Sequence, residues 1–319
     1  MRKESKTMKK LSIMVPCYNE EENVVPMSEA LVKQLDAMPE YDYEILFIDN
    51  CSTDGTRALL RKICEGNKKI KAIFNTRNFG QFNSPYHAIC QTTGDCTITI
   101  CCDFQDPIDM IPRFVEEWEN GYKIVCGVKT SSKESKLMYA LRSLYYKLIK
   151  KTSKAEQIEH FTGFGLYDKS FVDVLRELDD PIPFIRGIVG ELGPKFKTIE
   201  YEQPQRRAGK TSNNFYSLYD AAMLSFTSYT KIGPRIAVFG GAFMSAASVI
   251  AAIVCAILKI IDPRAFFTTG TAAIILTILF VGGLQLFFLG LLGEYIMNIN
   301  VRVMKRPLVI EEERLNFDD

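Results

Sequence analysis

The feature that most constrains this chain is a stretch, residues 236–293, with only three charged side chains. The three are Lys259, Asp262 and Arg264. They lie close together and divide the stretch into two apolar runs, 236–261 and 265–293, each longer than the roughly 20 residues that a helix needs to cross a bilayer. Neither run has the polar face of a helix at the surface of a soluble domain. The pattern predicts two transmembrane helices joined by a turn at 262–264.

Basic side chains on both sides of this stretch predict its orientation. They are Lys231 and Arg235 before it, and Arg302, Lys305 and Arg306 after it. Because basic residues collect at the cytoplasmic ends of transmembrane helices, we expect both chain termini in the cytoplasm. The first residues lead straight into a predicted strand, so we expect no signal peptide. The sequence predicts a multi-pass protein of the cytoplasmic (inner) membrane, with a cytoplasmic domain at 1–235, a membrane hairpin at 236–293 and a cytoplasmic tail at 294–319.

Composition limits what the cytoplasmic part does. The chain has 319 residues and a net charge of +1, which allows a full hydrophobic core and gives no indication of nucleic-acid binding. Its nine cysteines include no Cys-x-x-Cys pair, which is typical of a reducing compartment without a disulfide framework. The two histidines, His87 and His160, are too few and too far apart to predict a zinc site.

The amino-terminal part alternates between short apolar runs and helix-like segments. Five runs have the pattern of strands, at residues 11–16, 43–49, 70–75, 97–102 and 123–128. This alternation predicts an α/β fold, a mostly parallel sheet with helices on both faces. Carboxylates and amides follow the strands, at Asn19, Glu20, Asp49, Asp54 and Asp103. Because the carboxyl ends of parallel strands meet at one sheet edge, these side chains predict a site for a nucleotide with a metal.

Residues 99–107 contain the main metal-binding candidates. Asp103, Gln105 and Asp106 offer oxygen ligands of the kind that Mg²⁺ or Mn²⁺ prefers. A structural interpretation is also open, in which Asp106 caps the next helix and Pro107 is its first residue. The chain has no Gly-x-Gly-x-x-Gly turn after the first strand and no Gly-Lys-Ser/Thr phosphate loop. A metal and side-chain cations must therefore balance the phosphate charge.

Four segments together resemble the successive motifs of family 2 glycosyltransferases, and within that family the polyprenyl-phosphate (dolichyl-phosphate-type) sugar transferases. They are 15–23, Val-Pro-Cys-Tyr-Asn-Glu-Glu-Glu-Asn, 48–56, Ile-Asp-Asn-Cys-Ser-Thr-Asp-Gly-Thr, 77–80, Arg-Asn-Phe-Gly, and 101–107, Cys-Cys-Asp-Phe-Gln-Asp-Pro. The resemblance implies a Rossmann-like GT-A fold, a UDP- or GDP-linked sugar donor, Mg²⁺ or Mn²⁺, and inverting transfer to a polyprenyl phosphate such as undecaprenyl phosphate. The product would be a lipid-linked monosaccharide for cell-envelope glycan modification.

The resemblance also implies roles for individual residues. Nucleotide-sugar binding falls on Pro16, Tyr18, Glu20, Asp49, Gln105, Lys129 and Arg206, and metal binding on Asp103 and Gln105. Lys129 stands where the family usually has arginine, and Arg206 begins a segment similar to an Arg-x-x-Gly-x-Ser/Thr loop. Asp103 is the catalytic residue, acting through the metal. No general base is named, because a lipid phosphate is already anionic at pH 7.

The sequence departs from the family pattern at several positions. Cys101 stands where the family's Asp-x-Asp motif has its first carboxylate, and a neutral thiol is a poor ligand for a hard cation. Asn50 replaces the second carboxylate of an Asp-Asp pair. Gly163 and Gly165 replace the charged residues of a segment that in many relatives reads Asp-Phe-Arg-Leu-x-Asp. These changes bear on metal affinity and on the identity of the donor sugar.

Two amphipathic stretches, 137–151 and 215–231, have a composition suited to the membrane interface, where a lipid acceptor would be met. Helices that face the protein core show the same stripes, and both interpretations are open. The candidates for binding the lipid phosphate are Lys147, Arg186 and Arg207. For Arg186, an ion pair with Glu191 is the structural alternative.

Two other functions are weighed against sugar transfer to a lipid phosphate. A processive polysaccharide synthase is disfavoured, because the only tryptophan, Trp118, lies outside the Gln-x-x-Arg-Trp motif of such enzymes, which also need more membrane helices. A catalytically silent membrane partner that binds or presents lipid is suggested by Cys101 and Gly163. It is opposed by the retained Asp49, Asp103 and Arg206. The expected partners are a nucleotide sugar, a polyprenyl phosphate and the membrane, with homo-oligomerisation left open.

Overall fold

The computed structural model describes residues 8–130, 158, 160–178, 180–181, 183–207, 223, 232–261, 270–304 and 306–317. Within these ranges the chain forms an eight-stranded sheet, six helices that accompany it and two long helices near the carboxyl terminus. The amphipathic stretches 137–151 and 215–231, apart from Met223, lie outside the described residues, and so does Lys147.

The sheet is mixed but mainly parallel. Its strands are β1 Lys9–Cys17, β2 Tyr41–Asp49, β3 Ile70–Asn75, β4 Cys96–Thr99, β5 Ile124–Lys129, β6 Phe161–Asp168, β7 Phe196–Tyr201 and β8 Glu311–Leu315. They lie in the order β7-β5-β6-β4-β1-β2-β3-β8. Four of the seven pairings are parallel. The predicted mostly parallel α/β sheet is confirmed.

Helices cover both faces of the sheet. They are α1 Val24–Asp36, α2 Thr56–Gly66, α3 Gly80–Gln91, α4 Met110–Glu119, α5 Lys169–Glu177 and α6 Ile185–Leu192. In β2, Ile45 and Phe47 pack into a cluster with α1, α2 and α4, whereas Leu46 and Ile48 pack into a second cluster with α3, α5 and α6. Because neighbouring side chains on a strand point to opposite faces, a strand covered on both sides contains consecutive apolar residues, as β2 does at 45–48.

The turn after β4 differs from the prediction. The helix α4 begins at Met110, so the interpretation of residues 106–107 as a helix start is wrong. Asp106 is buried instead, and its carboxylate accepts hydrogen bonds from Cys101 N at 3.0 Å and from the Tyr201 hydroxyl at 3.2 Å. Because these two donors lie inside the domain, they need a hydrogen-bond acceptor there. Asp106 supplies it and therefore has a structural role.

Two strands run against the parallel direction. β6 lies between β4 and β5 and is antiparallel to both. β8 follows the two long helices and pairs antiparallel with β3 at the edge of the sheet. The sequence of β8, Glu-Glu-Glu-Arg-Leu, has no strand-like apolar pattern. We attribute its extended conformation to the open edge of β3, whose backbone groups it satisfies.

The chain divides into two compact units. The first comprises Met1–Lys150, Ala155–Asn214 and Met304–Asp319, and the second comprises Lys151–Lys154 and Phe215–Val303. The second unit contains two long helices, α7 Ile232–Ile261 and α8 Gly270–Val303. In the part of the chain that the structure describes, one helical segment, Phe280–Val303, is long and apolar enough to cross a membrane.

Candidate functional site

The candidate site lies where the order of the strands changes direction. From β1 the chain proceeds to β2 and β3 on one side, whereas β4 pairs with the other side of β1. The connections after β1 and β4 therefore diverge, and open α/β sheets bind ligands in the crevice that this leaves at the carboxyl ends of the strands. Three turns border this edge, residues 18–23 after β1, 50–55 after β2 and 100–109 after β4.

Each of these three turns contains a residue with a left-handed backbone conformation. The φ angles are 55° at Asn19, 64° at Cys51 and 62° at Phe104. Asparagine tolerates this conformation, but cysteine and phenylalanine adopt it only when the surrounding structure imposes it. Such residues cluster at functional sites, so the backbone supports a binding role for this edge.

Arg206 joins acidic residues from two different turns. Its Nη2 lies 2.5 Å from Glu20 Oε1, and its Nε lies 3.8 Å from Asp103 Oδ2. The other carboxylate oxygen of Glu20 accepts a hydrogen bond from Asn23 Nδ2 at 2.6 Å. Burial raises the pKa of Glu20, although Asn23 and Arg206 both act to lower it. One cation therefore stands between two carboxylates at the point where the strand order changes.

The segment that carries Arg206 is also fixed to the turn after β4. The backbone N–H of Arg207 donates to Asp103 O at 3.3 Å, and the guanidinium of Arg207 lies 5.3 Å from the centre of the Phe104 ring. Asp103 Oδ1 accepts a hydrogen bond from Gln105 N at 3.1 Å. The side chain of Asp103 remains 13% exposed. The structure thus brings the predicted residues Asp103, Gln105, Arg206 and Arg207 together.

Asp49, at the end of β2, is fully buried. Its carboxylate accepts hydrogen bonds from the backbone N–H of Ser52 at 3.1 and 3.3 Å, and Arg57 Nε of α2 lies 3.3 Å from Asp49 Oδ2. Burial raises the pKa of Asp49, while Ser52 and then Arg57 act to lower it. In this conformation the Asp49 carboxylate fixes the turn after β2 through its hydrogen bonds with Ser52 N. A hydroxyl or N–H group of a ligand can hydrogen-bond to this carboxylate only if the side chains that bury it move.

Asn50 connects the turn after β2 to the turn before α3. Its Nδ2 donates to Asn78 Oδ1 at 2.9 Å and to Gly80 O at 3.2 Å. Its Oδ1 accepts from Phe79 N at 2.9 Å and from Asn75 Nδ2 at 3.2 Å. Both ends of the amide are used, so the side chain fixes residues 78–80 against the sheet.

Lys129, the last residue of β5, brings a second positive charge to the acidic turn. Burial lowers the pKa of its ammonium group, whereas the nearby carboxylates of Asp106 and Asp103 act to raise it. The guanidinium of Arg186, at the start of α6, acts on the same group as a like charge and lowers its pKa. Lys129 and Arg186 therefore lie within electrostatic range of each other and of the acidic turn.

Two further predicted residues, Pro16 and Tyr18, lie at the carboxyl end of β1. Pro16 lies near the end of β1, and Tyr18, which follows the strand, is 38% exposed.

Among the described residues, no group of three or more His, Cys, Asp or Glu side chains could hold a metal ion. All eight described cysteines are free thiols, in agreement with the absence of a disulfide pattern.

Comparison with known proteins shows the family. The sequence model of glycosyl transferase family 2 matches residues 12–175, about half of the chain. The chain belongs to glycosyl transferase family 2. A bactoprenol glucosyl transferase of Shigella phage SfX is 30% identical over 308 residues, which cover 96% of this chain and 99% of the phage protein. A prophage bactoprenol glucosyl transferase homolog of Escherichia coli (strain K12) is 31% identical over 304 residues, 94% of this chain and 98% of that protein.

A solved structure resembles this glycosyltransferase more distantly. Mannosyl-3-phosphoglycerate synthase from Rubrobacter xylanophilus matches 73% of this chain and 75% of its own chain, with a TM-score of 0.47 and 17% sequence identity. The sequence matches confirm the resemblance drawn from the four motifs.

The glycine departures from the family pattern have a structural reason. A Cβ atom at Gly165 would lie 2.4 Å from the backbone oxygen of Val125 on the neighbouring strand β5, so no side chain fits there. Gly163 has φ +103°, a conformation that residues with side chains rarely adopt, and its carbonyl accepts hydrogen bonds from the hydroxyls of Thr99 and Tyr167. In this glycosyltransferase Gly165 is needed for the close packing of β6 against β5, and Gly163 for the backbone conformation at the start of β6.

Sequence reasoning missed two residues of the site. Arg57 carries no motif signal, because its importance comes from its position in the first turn of α2, where its side chain reaches Asp49. Asn78 belongs to a recognised motif, but its partner Asn50 became apparent only from the hydrogen bonds between the two turns.

Proposed function

We propose that this glycosyltransferase moves a sugar from a UDP- or GDP-linked donor to the phosphate of a polyprenyl phosphate, with inversion at the anomeric carbon. The observation that carries the proposal is the match to bactoprenol glucosyl transferases along nearly the whole of both chains, 96% of this one and 99% of the phage protein. The acid–arginine cluster at the change in strand order supports it. The product would be a lipid-linked monosaccharide for modification of cell-envelope glycans.

The chemistry requires positioning and charge compensation more than proton transfer. A lipid phosphate is anionic at pH 7 and can attack the anomeric carbon without a general base, while negative charge develops on the departing nucleoside diphosphate. Arg206 and Arg207 stand beside Asp103, where they can compensate phosphate charge. We assign donor binding to Pro16, Tyr18, Glu20, Asp49, Gln105, Lys129 and Arg206, and acceptor-phosphate binding to Lys147, Arg186 and Arg207.

The charge balance of the cluster favours a divalent metal. Arg206 is already shared between Glu20 and Asp103, so the three side chains together carry a negative charge, to which a diphosphate would add more. Glu20 is already engaged by Arg206 and Asn23, which leaves Asp103 as the carboxylate for a metal, and Mg²⁺ is usually held by one or two carboxylates together with substrate phosphates and water. Asp103 and Gln105 would hold Mg²⁺ or Mn²⁺, and the metal would supply charge stabilisation to the leaving diphosphate.

We further propose that α7 and α8 form a transmembrane hairpin, with the domain boundaries 1–235, 236–293 and 294–319. Large apolar side chains such as Phe239, Phe243, Phe280 and Leu286 are exposed on these helices, which suits lipid contact. The path of the chain adds an argument from parity. Because β7 and β8 belong to the same sheet, the segment between them must begin and end on one side of a membrane, so it crosses an even number of times. Two crossings fit the two helices.

This arrangement supports a place at the cytoplasmic membrane, with the catalytic domain and both termini in the cytoplasm. The basic side chains Arg302, Lys305 and Arg306 near the end of α8 agree with that orientation. A polyprenyl phosphate would then be met at the inner leaflet.

The proposal is tested by transfer of labelled sugar from a panel of UDP- and GDP-sugars to undecaprenyl phosphate, using purified full-length protein with Mg²⁺, Mn²⁺ or EDTA. We expect label in the organic-extractable product with one donor, and its loss in EDTA. Absence of label with every donor, together with absence of nucleotide binding, would favour the silent membrane partner. Label in a long polymer instead of a lipid would favour a processive synthase.

A further inference from the structure

The carboxyl-terminal strand is tied to the helix that borders the donor site. β8 pairs with β3, and the backbone N–H and hydroxyl of Thr76 both donate to Ile310 O at 3.0 Å. Two ion pairs then join β8 to α2. Arg57 Nη2 lies 2.7 Å from Glu312 Oε2, and Arg61 Nη2 lies 2.7 Å from Glu313 Oε2.

The two ion pairs differ in what lies on the far side of the arginine. Arg57 also contacts Asp49, with Nε 3.3 Å from Oδ2, and its guanidinium lies 5.2 Å from the centre of the Phe74 ring. Its Nε is buried and makes no hydrogen bond, so its contact with Asp49 is ionic. Arg61 lies over the same ring at 4.7 Å, but its recorded ion pair is with Glu313.

The position of Arg57 matters because Asp49 is fully buried. A buried carboxylate is costly unless a cation or hydrogen bonds compensate it. Of the described residues, Arg57 is the cation that forms an ion pair with Asp49. The guanidinium of Arg57 is at the end of a flexible side chain. Its Nε is the atom next to Asp49, and the carboxylate of Glu312 restrains the guanidinium through Nη2. Without this restraint the guanidinium can leave Asp49 or collapse onto it, and either movement alters the turn that Asp49 holds through Ser52.

We propose that β8 completes the donor site, in which Glu312 positions Arg57 and Arg57 positions Asp49 and the turn after β2. The inference rests on the proposed role of this turn in binding the nucleotide sugar. It makes Arg57 and Glu312 positioning residues. Donor affinity then depends on a segment that follows the two long helices, more than 250 residues away from Asp49 in the chain.

The test compares Glu312→Gln with Glu313→Gln in the full-length protein. Each variant removes one ion pair between the same strand and the same helix, but only Glu312 is connected to Asp49. We expect Glu312→Gln to raise the KM for the donor and the Kd for its free nucleoside diphosphate about two- to fivefold, the range for a partly exposed pair, with kcat unchanged. We expect Glu313→Gln to leave all three at the wild-type value.

Arg57 variants test the connection itself. Arg57→Leu should raise the donor KM more than Glu312→Gln does, and Arg57→Lys should restore part of the loss. Adding Glu312→Gln to Arg57→Leu should cause no further loss, because Glu312 acts only through Arg57. Equal effects of Glu312→Gln and Glu313→Gln, or additive effects of the Glu312 and Arg57 changes, would overturn the inference. If Glu312→Gln does not fold, Glu312→Asp, which keeps the charge but shortens its reach, provides the same comparison.

Asp49→Asn separates this inference from the proposed function. If Asp49→Asn leaves donor affinity at the wild-type value, the assignment of Asp49 to donor binding fails, and the inference fails with it. If Asp49→Asn weakens donor binding while Glu312→Gln and Arg57→Leu do not, only the positioning role of β8 and Arg57 is refuted.

Discussion

At the scale of single residues, the site depends on one carboxylate where the family motif has two. Asp103 stands alone because the first acidic position of the motif is Cys101, and the nearby Asp106 is engaged with Cys101 N and Tyr201. Arg206 lies between Asp103 and Glu20 and brings a positive charge to this position. We therefore expect Asp103 to be the side chain that contributes most, through a bound metal, to stabilising the charge that develops on the leaving diphosphate.

Asp103→Asn keeps the shape of the side chain and removes its charge. We expect kcat for sugar transfer to fall about 10²- to 10³-fold, the usual effect of removing one group that stabilises developing charge. Apparent affinity for Mg²⁺ should fall as well, as measured by the metal concentration that gives half-maximal turnover. Asp109→Asn, at an exposed position of the same turn, is the matched control and should leave both unchanged. A turnover within about tenfold of wild type would remove Asp103 from the mechanism.

At the scale of elements, the site depends on contacts between turns that are distant in sequence. Asn50 satisfies two donors and two acceptors, and these include the backbone of Phe79 and Gly80. The carboxylate that the family carries at this position could accept the two hydrogen bonds but could not donate any. The asparagine is thus the residue that fits the turn before α3 in this chain.

Asn50→Asp tests this explanation. The substituted oxygen would face Asn78 Oδ1 and Gly80 O, so we expect a loss of about 1–3 kcal/mol in the free energy of unfolding and a lower melting temperature. Asn67→Asp is the control, because the described contact of the Asn67 side chain is the acceptance of a hydrogen bond from Lys69 N, which aspartate can also make. Equal melting temperatures for the two variants would show that the amide network does not hold the turn.

At the scale of the whole molecule, the chain leaves the sheet after β7, forms the two long helices and returns to the sheet as β8. For the proposed transmembrane hairpin, this path requires an even number of crossings. It also explains why a tail of acidic residues is ordered, since its backbone pairs with β3 and its side chains pair with Arg57 and Arg61.

Reporter fusions test the hairpin. A green fluorescent protein fused after residue 319 should fluoresce, and alkaline phosphatase fused at residue 263, between α7 and α8, should be active outside the cytoplasm. The same two reporters at the amino terminus provide the control for a cytoplasmic position. Phosphatase that is inactive at residue 263 would contradict the proposed hairpin, and a non-fluorescent carboxyl terminus together with a fluorescent amino terminus would contradict the parity argument.

The sequence by itself determined the features that depend on neighbours in the chain. Short apolar runs predicted β1, β2 and β3 close to their observed bounds, and four motifs were sufficient to indicate the family. Periodicity and turn residues are local properties, so they are readable before the chain is folded.

Only the tertiary structure decided which distant groups meet. Asp106 is buried, and α4 begins at Met110 instead of at residue 107. The close approach of the Val125 backbone oxygen requires glycine at position 165. Residues 311–315 form a strand because they pair with the open edge of β3, and this pairing places Glu312 beside Arg57. Such contacts depend on which hydrogen-bond donors, acceptors and strand edges are still unpaired once the sheet has formed. The order of neighbouring residues in the sequence does not show this.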